Sequence, residues 1–455
     1  MNVSDFFEYM KPGKRGHMIG IGGVSMSALG EVLLSMGINI TGSDMNEGET
    51  VLALRKKGIK VTIGHLPESV DGADFVVRTA AVHDDNPEIA AAHAKGIPVF
   101  ERTQAWGAIM RNYKNAICVA GTHGKTTTTS MVTHILMAEN SDPTVMIGGT
   151  LPLLKSGYRV GAGDTIVLES CEYYNSFHSF LPTVAVVLNV DTDHHDFFKD
   201  LDDIKHSFGI FAANVPEGGY IVVNADDKNA LDSIADIKGR NIVTFGIENE
   251  ADVRAENIVY GRTTSFDLIY NSECVARVDM RVCGKHNIYN ALAAATAALV
   301  SGVTPASIVE GLGQFRGAGR RVEYKGECGG AEVYDDYAHH PNELRATLTA
   351  VRDMGYKRVI CAFQPHTYTR TKALFNDFID ALTLADKVYL AEIYAAREKN
   401  TIGISSKDLA DKIPGAVFSP SFDDLAEKLR AEAKPGDIIL TVGAGDIYKV
   451  GESII

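Results

Sequence analysis

The sequence is poor in the features that would place a protein in a membrane, in an oxidising compartment or on a nucleic acid. It has no apolar run of the roughly 18 residues that a membrane-spanning helix needs, and its first residues lack an apolar signal core. The six cysteines form no Cys-x-x-Cys pair, which favours reduced thiols over disulfides or structural zinc. A net charge of -14 argues against nucleic-acid binding, because phosphate backbones are bound by clustered Lys and Arg. We therefore expect a cytoplasmic protein that binds anionic ligands only in local pockets.

The length of 455 residues exceeds what one hydrophobic core supports and predicts about three domains. Strand and helix patterns alternate along the chain, which predicts the α/β fold class. We expect an N-terminal Rossmann-like domain over residues 1–113 and a central P-loop domain with a mixed, mainly parallel sheet over 114–319. A C-terminal Rossmann-like domain is expected over 320–455, where several strands end in polar residues.

The most informative stretch runs from Ile117 to Thr129 and is typical of a buried strand, a tight glycine turn and a helix. The turn would direct several backbone N–H groups at one point, where phosphate oxygens are stabilised. Lys125 would neutralise the terminal phosphates of a nucleotide triphosphate, and the Thr126 hydroxyl could bind Mg²⁺. Val119 stands where the usual pattern has glycine, so this is a shortened P-loop; the alternative is a mere turn and helix cap. Its members are Gly121, Thr122, His123, Gly124, Lys125, Thr126 and Thr127.

A second glycine turn lies near the N-terminus, between a strand at 17–21 and a helix. Such a turn binds a pyrophosphate in dinucleotide-binding folds, and an acidic residue about 20 positions later, here Asp44, holds a ribose. The third glycine position is Ser25, so NAD, another nucleotide and a tight turn without a ligand all stay open. The candidate residues are Gly20, Gly22, Gly23, Ser25 and Asp44.

Two further strands of the central domain end in residues that suit a metal ion. One leads into Glu169 and the other into the run Asp193-His194-His195-Asp196. Hard cations prefer carboxylates, so Glu169 with Thr126 and His194 is the predicted metal group. Adjacent histidines on a strand face opposite ways, so at most one is a ligand. The alternative for this run is a solvated loop with a helix cap at Asp196.

Asn287 and Asn290 are three residues apart at the start of a predicted helix, so both amides lie on one face. Two such amides could hydrogen-bond to the edge of an adenine base. The alternative is helix capping, which is the commoner use of Asn. The glycine-rich joint 315–323 carries arginines, which are cations suited to a phosphate.

Taken together, these segments resemble the Mur ligases of peptidoglycan synthesis over nearly the whole chain. The most specific matches are residues 17–23, 121–127, Gly284-x-His286-Asn287-x-x-Asn290, 336–341 and 364–371. The resemblance implies that the glycine turn and Asp44 bind the UDP of a sugar nucleotide, and that the P-loop, His286, Asn287, Asn290 and Arg321 bind ATP. It also implies that a third group completes the amino-acid and acyl-phosphate site: Tyr337, His339, His366 and Arg370.

Within that family, the pattern is similar to members that join L-alanine to the lactyl carboxylate of UDP-N-acetylmuramate through an acyl phosphate. The resemblance implies ATP and Mg²⁺, with Mn²⁺ as a substitute, and roles for Lys125, His194, Arg321, His339 and Arg370 in the chemistry. It implies no nucleic-acid partner, no membrane insertion and a monomer or homodimer. The family's acidic motif lies at residues 169–174, so the resemblance also makes Glu172 a competing metal carboxylate. Lys205 matches poorly the position where sister ligases carry a carbamylated lysine.

Two rival functions remain at this point. A sister ligase that attaches a preformed peptide to the same sugar nucleotide would share all three domains. A P-loop switch whose first domain senses NAD is the more distant alternative, and the metal-type strand ends of the central domain argue against it.

Overall fold

The computed structural model describes residues 2–194 and 197–455. By internal contacts these residues form two compact units: the chain up to Arg254 with Leu292–Gly311, and Ala255–Ala291 with Leu312–Ile455. The boundaries of the three predicted domains stay predictions.

The first unit begins with a five-stranded, all-parallel sheet in the order β3-β2-β1-β4-β5. Its core lies on both faces, since Met18 of β1 belongs to one apolar cluster and the next residue, Ile19, to another. Burial on both faces is typical of a parallel sheet flanked by helices. The elements are β1 (Arg15–Ile19), α1 (Val24–Ser35), β2 (Asn39–Asp44), α2 (Glu49–Lys56), β3 (Lys60–Ile63), β4 (Phe75–Arg78), α3 (Pro87–Ala94), β5 (Val99–Glu101) and α4 (Arg102–Met110).

The same unit contains seven neighbouring strands of a second sheet, in the order β12-β11-β10-β6-β9-β7-β8. The pairs among these seven strands are parallel except β7 with β8. Its central strand β6 is buried from Ala116 to Ala120, so the following turn lies at the carboxyl edge of the sheet. The elements are β6 (Asn115–Ala120), α5 (Lys125–Ala138), β7 (Thr144–Leu151), β8 (Ser156–Arg159), β9 (Thr165–Glu169), β10 (Val184–Val187), α6 (Leu201–Ala213), β11 (Tyr220–Asn224), α7 (Lys228–Ile234) and β12 (Asn241–Gly246).

Three strands and two helices follow where the chain passes from one unit to the other. Strand β13 (Val253–Val259) pairs with β12 through its first two residues. Strands β14 (Thr264–Tyr270) and β15 (Glu273–Met280) form an antiparallel pair. Helix α8 (Lys285–Val300) starts in the second unit and continues in the first, and α9 (Pro305–Gln314) follows it.

The second unit contains a six-stranded sheet in the order β16-β17-β21-β18-β19-β20, parallel except for β16 with β17. Alternate residues of β18 enter two different apolar clusters: Cys361 and Phe363 pack with Phe378, whereas Ile360 packs with Leu429. Both faces are therefore covered by helices. The elements are β16 (Glu323–Cys328), β17 (Ala331–Asp336), α10 (Pro341–Arg352), β18 (Val359–Phe363), α11 (Tyr368–Ala373), α12 (Phe375–Leu382), β19 (Lys387–Ala391), α13 (Ser406–Ala410), β20 (Val417–Ser419), α14 (Phe422–Glu432), β21 (Ile438–Val442) and α15 (Tyr448–Ile454).

The expected fold class is confirmed: three α/β sheets, the middle one mixed and mainly parallel. Among the described helices, none combines the length and apolarity that a bilayer crossing requires.

Candidate active site

The P-loop connects β6 to α5, as the sequence predicts. Gly124 has a φ of 85° at the N-cap of α5, and Gly121 has a φ of 153°, conformations that residues with a Cβ rarely adopt. A Cβ on Gly121 would also approach the Leu188 Cβ to 2.8 Å. The turn is therefore closed tightly around its backbone, which leaves the N-terminus of a 14-residue helix open to a phosphate.

Asn189 holds this loop from the end of β10. Its side-chain oxygen accepts the His123 N–H at 2.8 Å, and its amide donates to the His123 carbonyl at 3.0 Å. Its own carbonyl accepts the Thr122 N–H at 3.1 Å. Thr122 and Asp191 add a bond in the same place, because the Asp191 N–H donates to the Thr122 hydroxyl at 2.9 Å. Sequence analysis missed Asn189, since only strand pairing brings β10 beside β6.

The Lys125 ammonium lies inside the loop. It donates to the carbonyls of Gly121 and Thr122, and to both oxygens of Glu172 at 2.9 and 3.1 Å. Burial lowers the pKa of Lys125, but Glu172, Cys171 and Glu169 together raise it by more, so the pKa lies above its usual value. Lys125 is therefore held as a cation against the backbone carbonyls of the loop.

Two carboxylates flank the loop. Glu169, at the end of β9, accepts the Thr126 hydroxyl at 2.9 Å and the Gly148 N–H at 2.6 Å. Glu172 bonds Lys125 and lies 3.7 Å from the His194 Nε2. The structure therefore brings Thr126 to Glu169, and His194 to Glu172.

His194 also stacks on Tyr173, with ring centroids 4.3 Å apart. Its neighbours His195 and Asp196 lie outside the described residues, so the predicted helix cap at Asp196 stays untested. Lys205 on α6 forms an ion pair with Asp232 on α7 at 3.2 Å. Thr127 is buried at the start of α5.

The N-terminal glycine turn is built around Asp44. The Gly22 N–H donates to the Asp44 carboxylate at 2.8 Å, and the Gly20 N–H donates to the Ser43 carbonyl at 2.8 Å. Gly23 is the N-cap of α1, and the Ser25 hydroxyl accepts the Trp106 indole N–H at 3.1 Å. All five predicted residues thus lie at the carboxyl ends of β1 and β2. Asp44 supports the turn itself, a role that sequence analysis did not foresee.

The polar residues that begin α8 lie in the second unit. The Asn287 amide donates to the Cys283 carbonyl at 2.8 Å, and the Asn290 amide donates to the Asn287 oxygen at 3.2 Å. Both amides share one face of the helix, as predicted. Burial and the nearby Arg321 lower the pKa of His286 to about 4, which keeps this imidazole neutral near pH 7.

The joint before the last sheet carries two arginines. Arg321 lies over the Tyr337 ring, 5.2 Å from its centroid. Arg320, which the sequence analysis did not select, donates to Asp335 at 2.8 Å and to the Gly443 carbonyl at 2.6 Å. Arg320 therefore ties the joint to the ends of β17 and β21.

The four residues predicted on the amino-acid side form one cluster within the second unit. The Tyr337 and His339 rings make an edge contact at 5.5 Å, and the His339 and His366 rings make another at 5.8 Å. Arg370 approaches His366 at 3.4 Å. Tyr394, missed from the sequence, stacks on His366 at 5.4 Å. These side chains follow three different strands, so only the sheet order brings them together.

A lysine in a glycine loop before a helix, with two carboxylates beside it, defines a P-loop nucleotide-binding protein of the α/β class. Family models identify it further: "Mur ligase family, catalytic domain" matches residues 15–114, "Mur ligase middle domain" 119–298, and "Mur ligase, glutamate ligase domain" 320–445. The chain belongs to the Mur ligase family, as its resemblance predicts.

Individual relatives agree with this assignment. The chain is 46% identical to the UDP-N-acetylmuramate–L-alanine ligase of Caldanaerobacter subterraneus subsp. tengcongensis over 97% of each chain, and 45% identical to that of Clostridium novyi over 99% of each. Its fold matches the crystal structure of the UDP-N-acetylmuramate-alanine ligase of Thermotoga maritima with a TM-score of 0.78 and 29% identity, covering 97% of this chain and 98% of that one. A murein peptide ligase of Psychrobacter arcticus matches with a TM-score of 0.67 and 25% identity, covering 97% and 100%.

Proposed function

We propose that this chain is an ATP-dependent ligase that joins L-alanine to the lactyl carboxylate of UDP-N-acetylmuramate, releasing ADP and phosphate in peptidoglycan synthesis. The observation that carries the proposal is a P-loop lysine and threonine, Lys125 and Thr126, each bonded to a carboxylate at 2.9 Å. Full-length relatives that are 45 to 46% identical and named for this reaction supply the substrates.

The roles of the three predicted domains follow from that reaction. Residues 1–113 bind the UDP-sugar at Gly20, Gly22, Gly23, Ser25 and Asp44. Residues 114–319 bind ATP through the P-loop, with His286, Asn287 and Asn290 toward the nucleoside. Residues 320–455 bring L-alanine to Tyr337, His339, His366 and Arg370. The protein acts in the cytoplasm, as a monomer or homodimer.

The chemistry has to activate a carboxylate, because a carboxylate oxygen is a poor leaving group for an amine to displace. Transfer of the ATP γ-phosphoryl group to the lactyl carboxylate gives an acyl phosphate and ADP. The free amine of L-alanine then attacks the acyl carbon, and the tetrahedral intermediate expels phosphate. Lys125 stabilises charge on the transferring phosphoryl group, the largest contribution expected in such reactions, and Arg321 binds a phosphate from the joint.

The oxygen donors beside the P-loop fit a hard divalent cation. The Thr126 hydroxyl and a Glu169 oxygen are 2.9 Å apart, and both are ligand types that Mg²⁺ prefers. We propose that Thr126 and Glu169 hold Mg²⁺, or Mn²⁺ in its place, together with His194. When bound, the ion would neutralise phosphate charge. Glu172 has a different role, since it bonds Lys125.

Phosphate release tests the proposal directly. The protein is incubated with Mg·ATP and UDP-N-acetylmuramate, together with L-alanine, glycine, L-serine, a tripeptide or no amine. We expect release that requires both the sugar nucleotide and L-alanine. Release with the tripeptide alone would assign the chain to peptide ligation, as in the murein peptide ligase it resembles, and no release with any amine would overturn the ligase assignment.

The variant Lys125→Ala tests the role of the P-loop. Losing one preorganised cation from a phosphoryl-transfer site costs about 10²- to 10³-fold in turnover, so we expect kcat to fall by that factor. Lys228→Ala is the matched control, because Lys228 is exposed and its ion pair is with Asp232, at 2.9 Å on its own helix. Undiminished turnover by Lys125→Ala would contradict the proposed mechanism.

A further inference from the structure

A cavity of about 270 Å³ lies within the first unit. One side is formed by the starts of α1 and α4, including Ser25 and Arg102, and the other by Gly148, Glu169 and Cys171. The cavity therefore connects the glycine turn of the first sheet with the carboxylate beside the P-loop of the second.

Arg102 is the charged group in this cavity that the described contacts leave unused. Among the described residues, its guanidinium has no hydrogen-bond or ion-pair partner. The preceding residue, Glu101, bonds Arg78 at 2.6 Å and is therefore already paired. Burial lowers the pKa of Arg102, and Cys171 and Glu101 only partly oppose this. A partly buried cation without a counter-ion is costly, so the cavity is suited to an anion.

Glu169 does not serve as that counter-ion. One of its oxygens accepts the Thr126 hydroxyl and the other accepts the Gly148 N–H, so its two oxygens are directed at the P-loop and β7. Cys171 does not serve either, because burial raises the pKa of its thiol to about 11 and keeps it protonated near pH 7.

We propose that Arg102 binds the lactyl carboxylate of UDP-N-acetylmuramate and holds it for phosphorylation. This inference rests on the proposed function. In that reaction the pyrophosphate lies at the Ser25 turn and the phosphoryl transfer occurs beside Glu169, so the reacting carboxylate lies between them, where Arg102 is. A guanidinium also matches a carboxylate with two parallel N–H donors.

The same contact serves the chemistry. The carboxylate attacks the γ-phosphorus of ATP, and both groups are anions that repel each other at short range. Arg102 partly cancels the carboxylate charge and so lets the two groups approach. Its side chain moves no proton in this step.

The test compares two ligands that differ at the group in question. UDP-N-acetylglucosamine has the same uridine, pyrophosphate and ring as UDP-N-acetylmuramate but lacks the lactyl ether and its carboxylate. Binding of each is measured by titration calorimetry to the wild-type chain, Arg102→Gln, Arg102→Lys and Arg111→Gln. Arg111 is an exposed residue at the other end of α4 and is the matched control.

We expect Arg102→Gln to weaken UDP-N-acetylmuramate binding by about 10- to 100-fold, as for other hydrogen bonds to a charged group, and to change UDP-N-acetylglucosamine binding less than about twofold. Arg102→Lys should give an intermediate loss, since lysine keeps the charge but not the paired donors. This variant provides the answer if Arg102→Gln does not fold.

Equal losses for both ligands would overturn the inference and assign Arg102 to the pyrophosphate, and no loss for either would overturn it outright. Failure of the proposed function gives a different result, because the wild-type chain would then show neither UDP-N-acetylmuramate binding nor phosphate release that depends on L-alanine.

Discussion

Lys125 and Glu172 form an ion pair inside the P-loop, with the ammonium 2.9 Å from one carboxylate oxygen and only 14% and 3% of the two side chains exposed. Because both side chains are largely buried and in direct contact, removing either charge leaves the other buried without a counter-ion. The pair also distinguishes the two carboxylates of the site, because Glu169 bonds Thr126 and the backbone of β7 instead.

The variant Glu172→Gln should therefore destabilise the protein. It leaves a buried ammonium without its counter-ion, and such changes cost about 3 kcal/mol in free energy of unfolding. Urea denaturation measures the loss, with Glu217→Gln at an exposed position as control. In the double variant Lys125→Met with Glu172→Gln, part of the loss should return. Losses that simply add would show that the two side chains are not coupled.

The variant Gly22→Ala should raise the KM for the UDP-sugar by tenfold or more, with a smaller effect on the KM for ATP. A Cβ on Gly22 would lie 2.8 Å from the Asp44 Oδ2, so the carboxylate that supports the glycine turn has to move. Gly48→Ala is the matched control, since no atom of the described residues beyond its immediate neighbours lies within 4 Å of its Cβ position. Steady-state kinetics with each substrate varied in turn separates the two KM values, and equal values for wild type and Gly22→Ala would contradict the role of this turn.

Stability should fall as the pH drops below about 6.5, in part through His134 on α5. Burial lowers its pKa from 6.5 to about 4 in the folded chain, so the unfolded chain binds more protons between these values. The contribution of His134 is fully present above pH 6.5 and declines as the pH falls to 4, by an amount on the order of 3 kcal/mol.

Denaturation of wild type and His134→Gln between pH 7 and pH 4 tests this, with the exposed His93→Gln as control. The variant should show a shallower dependence on pH than wild type. Parallel curves would mean that His134 is not the group responsible.

Arg320 should contribute more to stability than its position in a glycine-rich joint indicates. It bonds the Asp335 carboxylate, whose side chain is 1% exposed, and two carbonyls after β21. Arg320→Ala leaves that buried carboxylate with the Thr441 hydroxyl but without a counter-ion, at a cost of about 3 kcal/mol. Arg345→Ala, on the exposed side of α10, should cost less than about 0.5 kcal/mol. A similar midpoint of thermal unfolding for both variants would contradict this assignment.

Local pattern accounts for what was predicted correctly. The P-loop, the N-terminal glycine turn and the polar start of α8 each lie within one strand, turn and helix, so spacing along the chain determines their geometry. The residues that contact these segments come from other strands and are not predictable from local spacing. Asn189 and Glu172 reach the P-loop from β10 and from the segment after β9, which no spacing in the sequence relates to Lys125.

The sequence by itself determined the α/β class, the position of the P-loop and the identity of the family, because these depend on short motifs and on alternating apolar segments. Only the tertiary structure decided that Glu172 rather than Glu169 pairs with Lys125, that Asp44 supports the glycine turn, and that Arg102 lies in a cavity with Glu169. The physical reason is that the parallel order of strands brings residues far apart in sequence to one edge of a sheet. Which charged side chains form ion pairs then depends on their distance in space and not on their spacing along the chain.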